Sequence, residues 1–187
     1  ESSFRGIGRY ALALAKALVR QRGEHEVLLA LNGMFPESVE RLRGEFEGLL
    51  SQDAIRVWEA CGPVRACDPS TAGRRAVAER VREAFIADQQ PDVVLVTSLF
   101  EGFGDDAVTS IGRWETAVPT ATVLYDLIPL LNPDELFRSS ELHRDWYSSK
   151  IESLRRSGLM LAISESSRQE ALTALGTGAA DVVNISG

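Results

Sequence analysis

The sequence predicts an α/β fold, a mostly parallel sheet with helices on both faces, and three observations point there. Short runs such as 93–96 and 159–162 are apolar without alternation, as strands buried on both faces are. Segments with apolar residues at helical spacing separate these runs. The connections between them are short polar loops, and such an alternation packs helices over a parallel sheet.

The elements follow in order. Ala11, Leu14, Ala15 and Leu18 stand at the i, i+3, i+4, i+7 spacing of one buried helix face, and Gly23 is a stop signal. The run 27–31, closed by Asn32-Gly33, predicts a buried strand. Pro36 opens a second helix with Val39, Leu42, Phe46 and Leu49 on one face. A strand is expected at 55–58, a loop in CGPVRACDPSTAG, and a third helix whose buried face carries Val77, Val81, Ala84 and Phe85. Strands at 93–96 and 120–125 come next, then a long amphipathic helical segment over 132–158. LMLAIS predicts a strand. SESSRQEALTALG predicts a helix with Ser167 and Glu170 at capping-box spacing and Gly176 as its end, and DVVNISG a last strand.

Composition narrows the function. The 187 residues suit a single domain spanning 1–187, with 44% hydrophobic and 25% charged residues, an ordinary globular balance. A net charge of −7 argues against a general nucleic-acid binder, whose affinity rests on a Lys/Arg surface. Cys61 and Cys67 match no common zinc spacing, and His25 and His143 are too few to complete one, so no metal is expected and the thiols read as reduced. No apolar run approaches the ~20 residues of a membrane span, and no leader-like segment opens the chain. A cytoplasmic location, with at most peripheral contact at the inner face of a membrane, is the expectation. The chain begins with Glu1 and ends in NISG, which reads as a piece of a longer protein.

Parallel sheets bind ligands beyond the carboxyl ends of their strands. That rule selects the Gly6/Gly8 loop, the stretch 98–104 (SLFEGFG), Tyr125-Asp126 and Ser164-Glu165, and predicts that they share one rim. Gly6-Ile7-Gly8-Arg9-Tyr10-Ala11 fits the dinucleotide pattern G-x-G-x-x-[GA]. A dinucleotide site also needs a preceding strand and an acidic residue about 20 positions on. Too few residues precede Gly6 to supply that strand, and Asn32 stands where the acid should. No Ser, Thr, Asp or Asn precedes the helix to cap it, so its first N–H groups and its dipole suit a phosphate, with Arg9 adding positive charge. A plain glycine turn with a solvated Arg9 is the other reading.

FRGIGRYALALAKAL, PDVVLVTSLFEG, ATVLYDLIPLL and RRSGLMLAISESSRQEAL, in that order, resemble the N-terminal half of family-4 retaining glycosyltransferases of the GT-B fold. The resemblance covers nearly the whole chain. It implies a Rossmann-like acceptor-side domain facing a second domain that holds most of the sugar nucleotide and is absent here. It places Gly6 and Gly8, with Arg9 helping, at the donor diphosphate. Asp126 becomes the foremost catalytic candidate, as a hydrogen-bond acceptor for the sugar or for the acceptor hydroxyl; a turn residue before LIP is its alternative. Tyr125 stands where the family often has a His, and a phenol is a poor proton shuttle near neutral pH. Glu101 and Ser98 are sugar-acceptor contacts, with a solvated loop carboxylate the competing reading for Glu101. Ser164 and Glu165 resemble a family segment, although helix capping explains them as well. Lys150, Arg155 and Arg156 read as a solvated helix face, or else as contacts to an anionic lipid-linked acceptor.

The function so implied is transfer of a hexosyl group, mannosyl by family habit, from a nucleotide sugar to a glycan or lipid-linked acceptor. It needs no further cofactor, and this piece alone is expected to be inactive. Two other classes stay open. One is another nucleotide-cofactor enzyme such as a dehydrogenase or epimerase; the other is a non-catalytic module that binds a glycan or a partner protein.

Overall fold

A computed structural model describes residues 6–133, 137–138 and 140–186. The predicted helical segment over 132–158 is therefore described only in part. The chain divides into two compact units at Cys61/Gly62. No helix among the described residues is long and apolar enough to cross a membrane.

The first unit contains α1 (Ile7–Arg20), β1 (Leu29–Asn32), α2 (Pro36–Glu45) and β2 (Ile55–Trp58). β1 and β2 pair in parallel, Leu29 opposite Ile55 and Asn32 opposite Trp58. Val19, Phe46 and Ile55 form the core, with Leu12, Ala15, Leu29, Leu31, Leu42 and Leu49 packed on them. The predicted face of α2 is thus the observed one. The face of α1 is turned by one residue: Leu12, Ala15 and Val19 point inward, while Leu18 is exposed. The segment YALALAKALV is apolar on nearly every side, so its period could not choose between neighbouring stripes. Lys16 settles on the inner side because it reaches Glu45 of α2 in an ion pair.

The second unit holds α3 (Ala72–Asp88), β3 (Val94–Val96), β4 (Thr120–Leu124), α4 (Ile128–Leu131), α5 (Glu141–Arg155), β5 (Leu159–Ala162), α6 (Glu165–Leu175) and β6 (Val182–Asn184). Its four strands lie in the order β3-β4-β5-β6, all parallel. α5 and α6 make the crossovers that parallel strands require. Val96, Leu124, Leu154, Met160, Ala162 and Val182 belong to one core cluster. Thr122 is fully buried in β4 and pairs its hydroxyl with that of Ser157 at 2.9 Å. The predicted α/β class with parallel, helix-flanked sheets holds.

Two further local expectations fail for physical reasons. α3 turns Ala78, Glu79 and Glu83 inward and leaves Val77, Val81 and Ala84 outside. The cause is the connection 97–119 between β3 and β4, which contains no helix and carries backbone N–H groups that need partners. Glu83 accepts from the amides of Arg113 (3.4 Å), Trp114 (2.7 Å) and Glu115 (2.9 Å). Arg82 donates to Ser110 O at 2.7 Å, and Glu79 pairs with Arg113 at 2.6 Å. The inward face is polar because it meets loop backbone, through Glu83 and Arg82, and the Arg113 side chain, through Glu79. The second failure is the capping of α6. Ser164, as its own capping reading held, and not Ser167, is the N-cap, accepting from Ser167 N at 3.1 Å, and Glu170 is used elsewhere. Gly176 ends the helix in the left-handed conformation, as expected.

Removing the Glu83 carboxylate strands three amides at once. Glu83→Ala should lower stability by about 3 kcal/mol, and Glu83→Gln, which keeps one acceptor oxygen, by about half of that. Urea denaturation of the two variants would measure it, and values within error of wild type would show that the loop does not lean on α3.

Candidate active site

The carboxyl ends of β3, β4 and β5 lie side by side in the second unit, and side chains tie them together. Tyr125, just past β4, donates its phenolic hydrogen to Thr97 O at 3.0 Å, bracing the β4 end against the β3 end. Ser167 of α6 donates to Tyr125 O, and Ile163 N donates to Leu124 O at 3.1 Å. Glu170 of α6 accepts from Leu127 N at 2.8 Å. Asp126 therefore sits on a backbone clamped on both sides. Its carboxylate is exposed, and Oδ1 accepts from Ile128 N at 3.2 Å, the turn contact that the LIP sequence suggested. The other carboxylate oxygen has no hydrogen-bond partner among the described residues.

The connection after β3 is built as firmly. Ser98 Oγ donates to Glu101 Oε1 at 2.7 Å, so these two predicted contacts are neighbours. The carbonyls of Gly102 and Phe103 accept from Ala66 N (2.9 Å) and Cys67 N (2.8 Å). Asp106 Oδ1 accepts from Val64 N (2.6 Å) and Arg65 N (3.2 Å). Gly102 has φ +91°, and a Cβ there would stand 2.1 Å from Ala107 O, so no other residue fits. Phe103 in turn packs its ring on His143, centroids 4.4 Å apart, and His143 continues onto Trp146 at 5.5 Å and Phe137 at 5.2 Å.

Two buried residues of α5 underlie this rim, and the sequence reading missed what both do. Tyr147 packs against Phe100, centroids 4.9 Å apart. Burial, then the negative charges of Asp126 and Glu170, push its phenol well above the ordinary range. Lys150 is 7% exposed, so neither a solvated helix face nor a surface contact to an anionic acceptor describes it. Its Nζ donates to Thr109 Oγ1 at 2.6 Å and lies 5.8 Å from the centre of the Trp146 ring. Burial pushes its pKa down to about 8, against the partial support of Glu79 and Glu101. A signal was present: Tyr147, Lys150, Ile151 and Leu154 share one helical stripe. Arg155 and Arg156 are exposed, and Arg155 pairs with Glu152 at 2.9 Å.

Of the four places expected to share one rim, three lie at the carboxyl ends of one sheet: Ser98 and Glu101, Tyr125 and Asp126, and Ser164 and Glu165. Ser164 is spent on capping. Glu165 is spent on Gln169, Arg168 and Asn184, and these hydrogen bonds, Gln169 first, hold its carboxyl below the usual range. Gly6, Gly8 and Arg9 belong to the other unit. There Gly6 is the N-cap of α1 with φ +48°, which favours glycine, and having no side chain it makes no side-chain capping bond itself. Asn32 Oδ1 accepts from Met34 N at 3.0 Å, a turn contact. Among the described residues, no three His, Cys, Asp or Glu side chains converge as a metal would require. Cys61 and Cys67 are both exposed and unbridged.

Residues 5–186 match the family described as glycosyl transferase 4-like domain. The chain belongs to that family. A serotype-specific mannosyltransferase WbdA of Escherichia coli is 33% identical over 187 residues, all of this chain and 22% of the relative. Two other proteins of the same description and organism are 32% and 31% identical over 174 residues, 92% of this chain and 21% of each relative. The 4-like domain thus spans about a fifth of the length of the curated relatives it matches.

Lys150 gives the domain a pH signature. Its pKa is about 8 folded and near 10.5 unfolded, so between those values the unfolded chain holds the extra proton. Stability carried by this group therefore rises with pH from about 8 to about 10.5, by at most about 3 kcal/mol. Urea denaturation at pH 7.5, 9 and 10 should show that rise in the difference between wild type and Lys150→Met. A pH-independent difference would mean that the amine is not desolvated.

Proposed function

We propose that this chain is the acceptor-side domain of a retaining glycosyltransferase that moves a mannosyl group from a nucleotide sugar to a glycan or lipid-linked acceptor. The observation that carries the reading is the family match over residues 5–186, taken with an exposed Asp126 on a clamped turn beside the Ser98–Glu101 pair. The mannosyl assignment is supported by the description of the E. coli relatives as mannosyltransferases.

In this reading Asp126 accepts a hydrogen bond from a hydroxyl of the transferred sugar or of the acceptor, and Glu101 with Ser98 grips the acceptor. Gly6 and Gly8 let the donor diphosphate approach the N-terminus of α1, where N–H groups and the helix dipole favour negative charge. Arg9 adds to that field. Tyr125 serves as the brace beneath Asp126, because its hydrogen is directed to Thr97 O. Transfer between two held sugars then rests on positioning and on stabilising the departing diphosphate. No cofactor beyond the nucleotide sugar takes part. The pieces that hold the nucleotide lie elsewhere in the longer protein, so this domain alone transfers no sugar.

The test is radiolabelled mannosyl transfer by the full-length protein from a nucleotide-activated mannose. Asp126→Ala should lower kcat at least about 100-fold while donor binding stays near wild type. Unchanged transfer in that variant would remove the catalytic assignment and favour a non-catalytic glycan-binding role.

A further inference from the structure

Lys150 is a buried charge of the second unit that the proposed chemistry does not use. An ammonium so deeply buried is costly, and replacing it with an apolar side chain of similar size would relieve that cost. Its surroundings are specific. From α3, Glu79, Arg82 and Arg75 act on it; from the connection after β3, Glu101 does; Trp146 of its own helix lies beside it. Its Nζ donates to Thr109 Oγ1, and Thr109 Oγ1 donates to Leu99 O at 2.6 Å. Leu99 is itself buried between Ser98 and Phe100, at the root of the loop that bears Glu101.

The chemistry gives this relay a direction. An ammonium has donors and no lone pair, so the Thr109 hydroxyl facing it must accept and must turn its own hydrogen elsewhere. The Leu99 carbonyl receives it. A neutral amine would offer a lone pair, and the hydroxyl could then turn back and leave Leu99 O unbonded.

We propose that Lys150 is a positioning residue: acting through Thr109, it fixes the Leu99 carbonyl and so holds the Ser98–Glu101 pair in the posture that meets the sugar acceptor. The relay itself is independent of any activity. Its consequence for catalysis rests on the acceptor-side reading above.

The experiment uses the full-length protein in two readouts. Hydrogen exchange at pH 7 of peptides covering 98–104 should quicken about tenfold in Thr109→Val, the size of one lost neutral hydrogen bond, and stay within about twofold of wild type in Thr109→Ser, which keeps the hydroxyl. Lys150→Met should also quicken it, and the double variant should exchange no faster than Thr109→Val alone, since both act through one path. In mannosyl transfer, Thr109→Val should raise the acceptor KM about fivefold with kcat and donor KM nearly unchanged, and the wild-type acceptor KM should rise above pH 8 while that of Thr109→Val stays flat. Wild-type exchange in both single variants, or additive effects in the double, would overturn the relay. Faster exchange with an unchanged acceptor KM would overturn its link to the acceptor. A wild-type protein that transfers no sugar would sink the functional reading, and the exchange data would still decide the relay.

Discussion

A backbone that runs from one parallel strand to the next without a helix must still satisfy its amides and carbonyls, and the second unit is organised around that need. Residues 97–119 make this passage. α3 supplies Glu83 to three consecutive amides and Arg82 to a carbonyl, Asp106 holds two amides of 64–65, and Lys150 works through Thr109. Each of these side chains is charged, and Glu83, Arg82 and Lys150 are all largely withdrawn from water. Fixed charges can aim strong hydrogen bonds at irregular backbone where no ladder exists. The rim that bears Ser98 and Glu101 is a product of this arrangement.

The same need decides which parts of the fold were legible beforehand. Strands buried on both faces announce themselves by continuous apolar runs, and the six strands found all lie within or beside predicted runs. Helix faces were less legible. α2 followed its period because its outer side is charged. α1 did not, because alanine and leucine occupy most of its positions; Leu12, Ala15 and Val19 face the core and Lys16 pairs with Glu45. α3 was read inside out: its valines form a regular stripe, yet its inner neighbour is backbone, which valine cannot satisfy. Period reports which side differs from the rest and not what lies opposite.

The site shows the same division. That the candidate residues would stand at strand ends followed from sheet geometry, and Tyr125, Asp126, Ser98 and Glu101 stand on that rim. The supporting residues were hidden because each comes from a distant segment: Ser167 and Glu170 reach back across 42 and 43 positions, and Lys150 across 41. No local pattern encodes such a contact. Ser167 and Glu170 even formed a plausible capping pair of their own, which Ser164 pre-empted by lying at the true helix start.

These supports bear on how a rim with a tyrosine at 125 could act. A proton shuttle must free its hydrogen, and the Tyr125 hydrogen is engaged by a backbone carbonyl of the neighbouring strand end. Tyr147, the other phenol nearby, is driven further from ionisation by burial and by Asp126 itself. Neither is suited to exchange protons near neutral pH. What the rim does offer is an exposed carboxylate on a turn whose backbone is held at Tyr125 O and Leu127 N, so the ordering cost is met in folding rather than on binding. On the proposed reading, chemistry at this site depends on where hydroxyls are held and not on who carries a proton, and changes in the second-layer residues should be felt as misplacement of a substrate more than as loss of an acid or base.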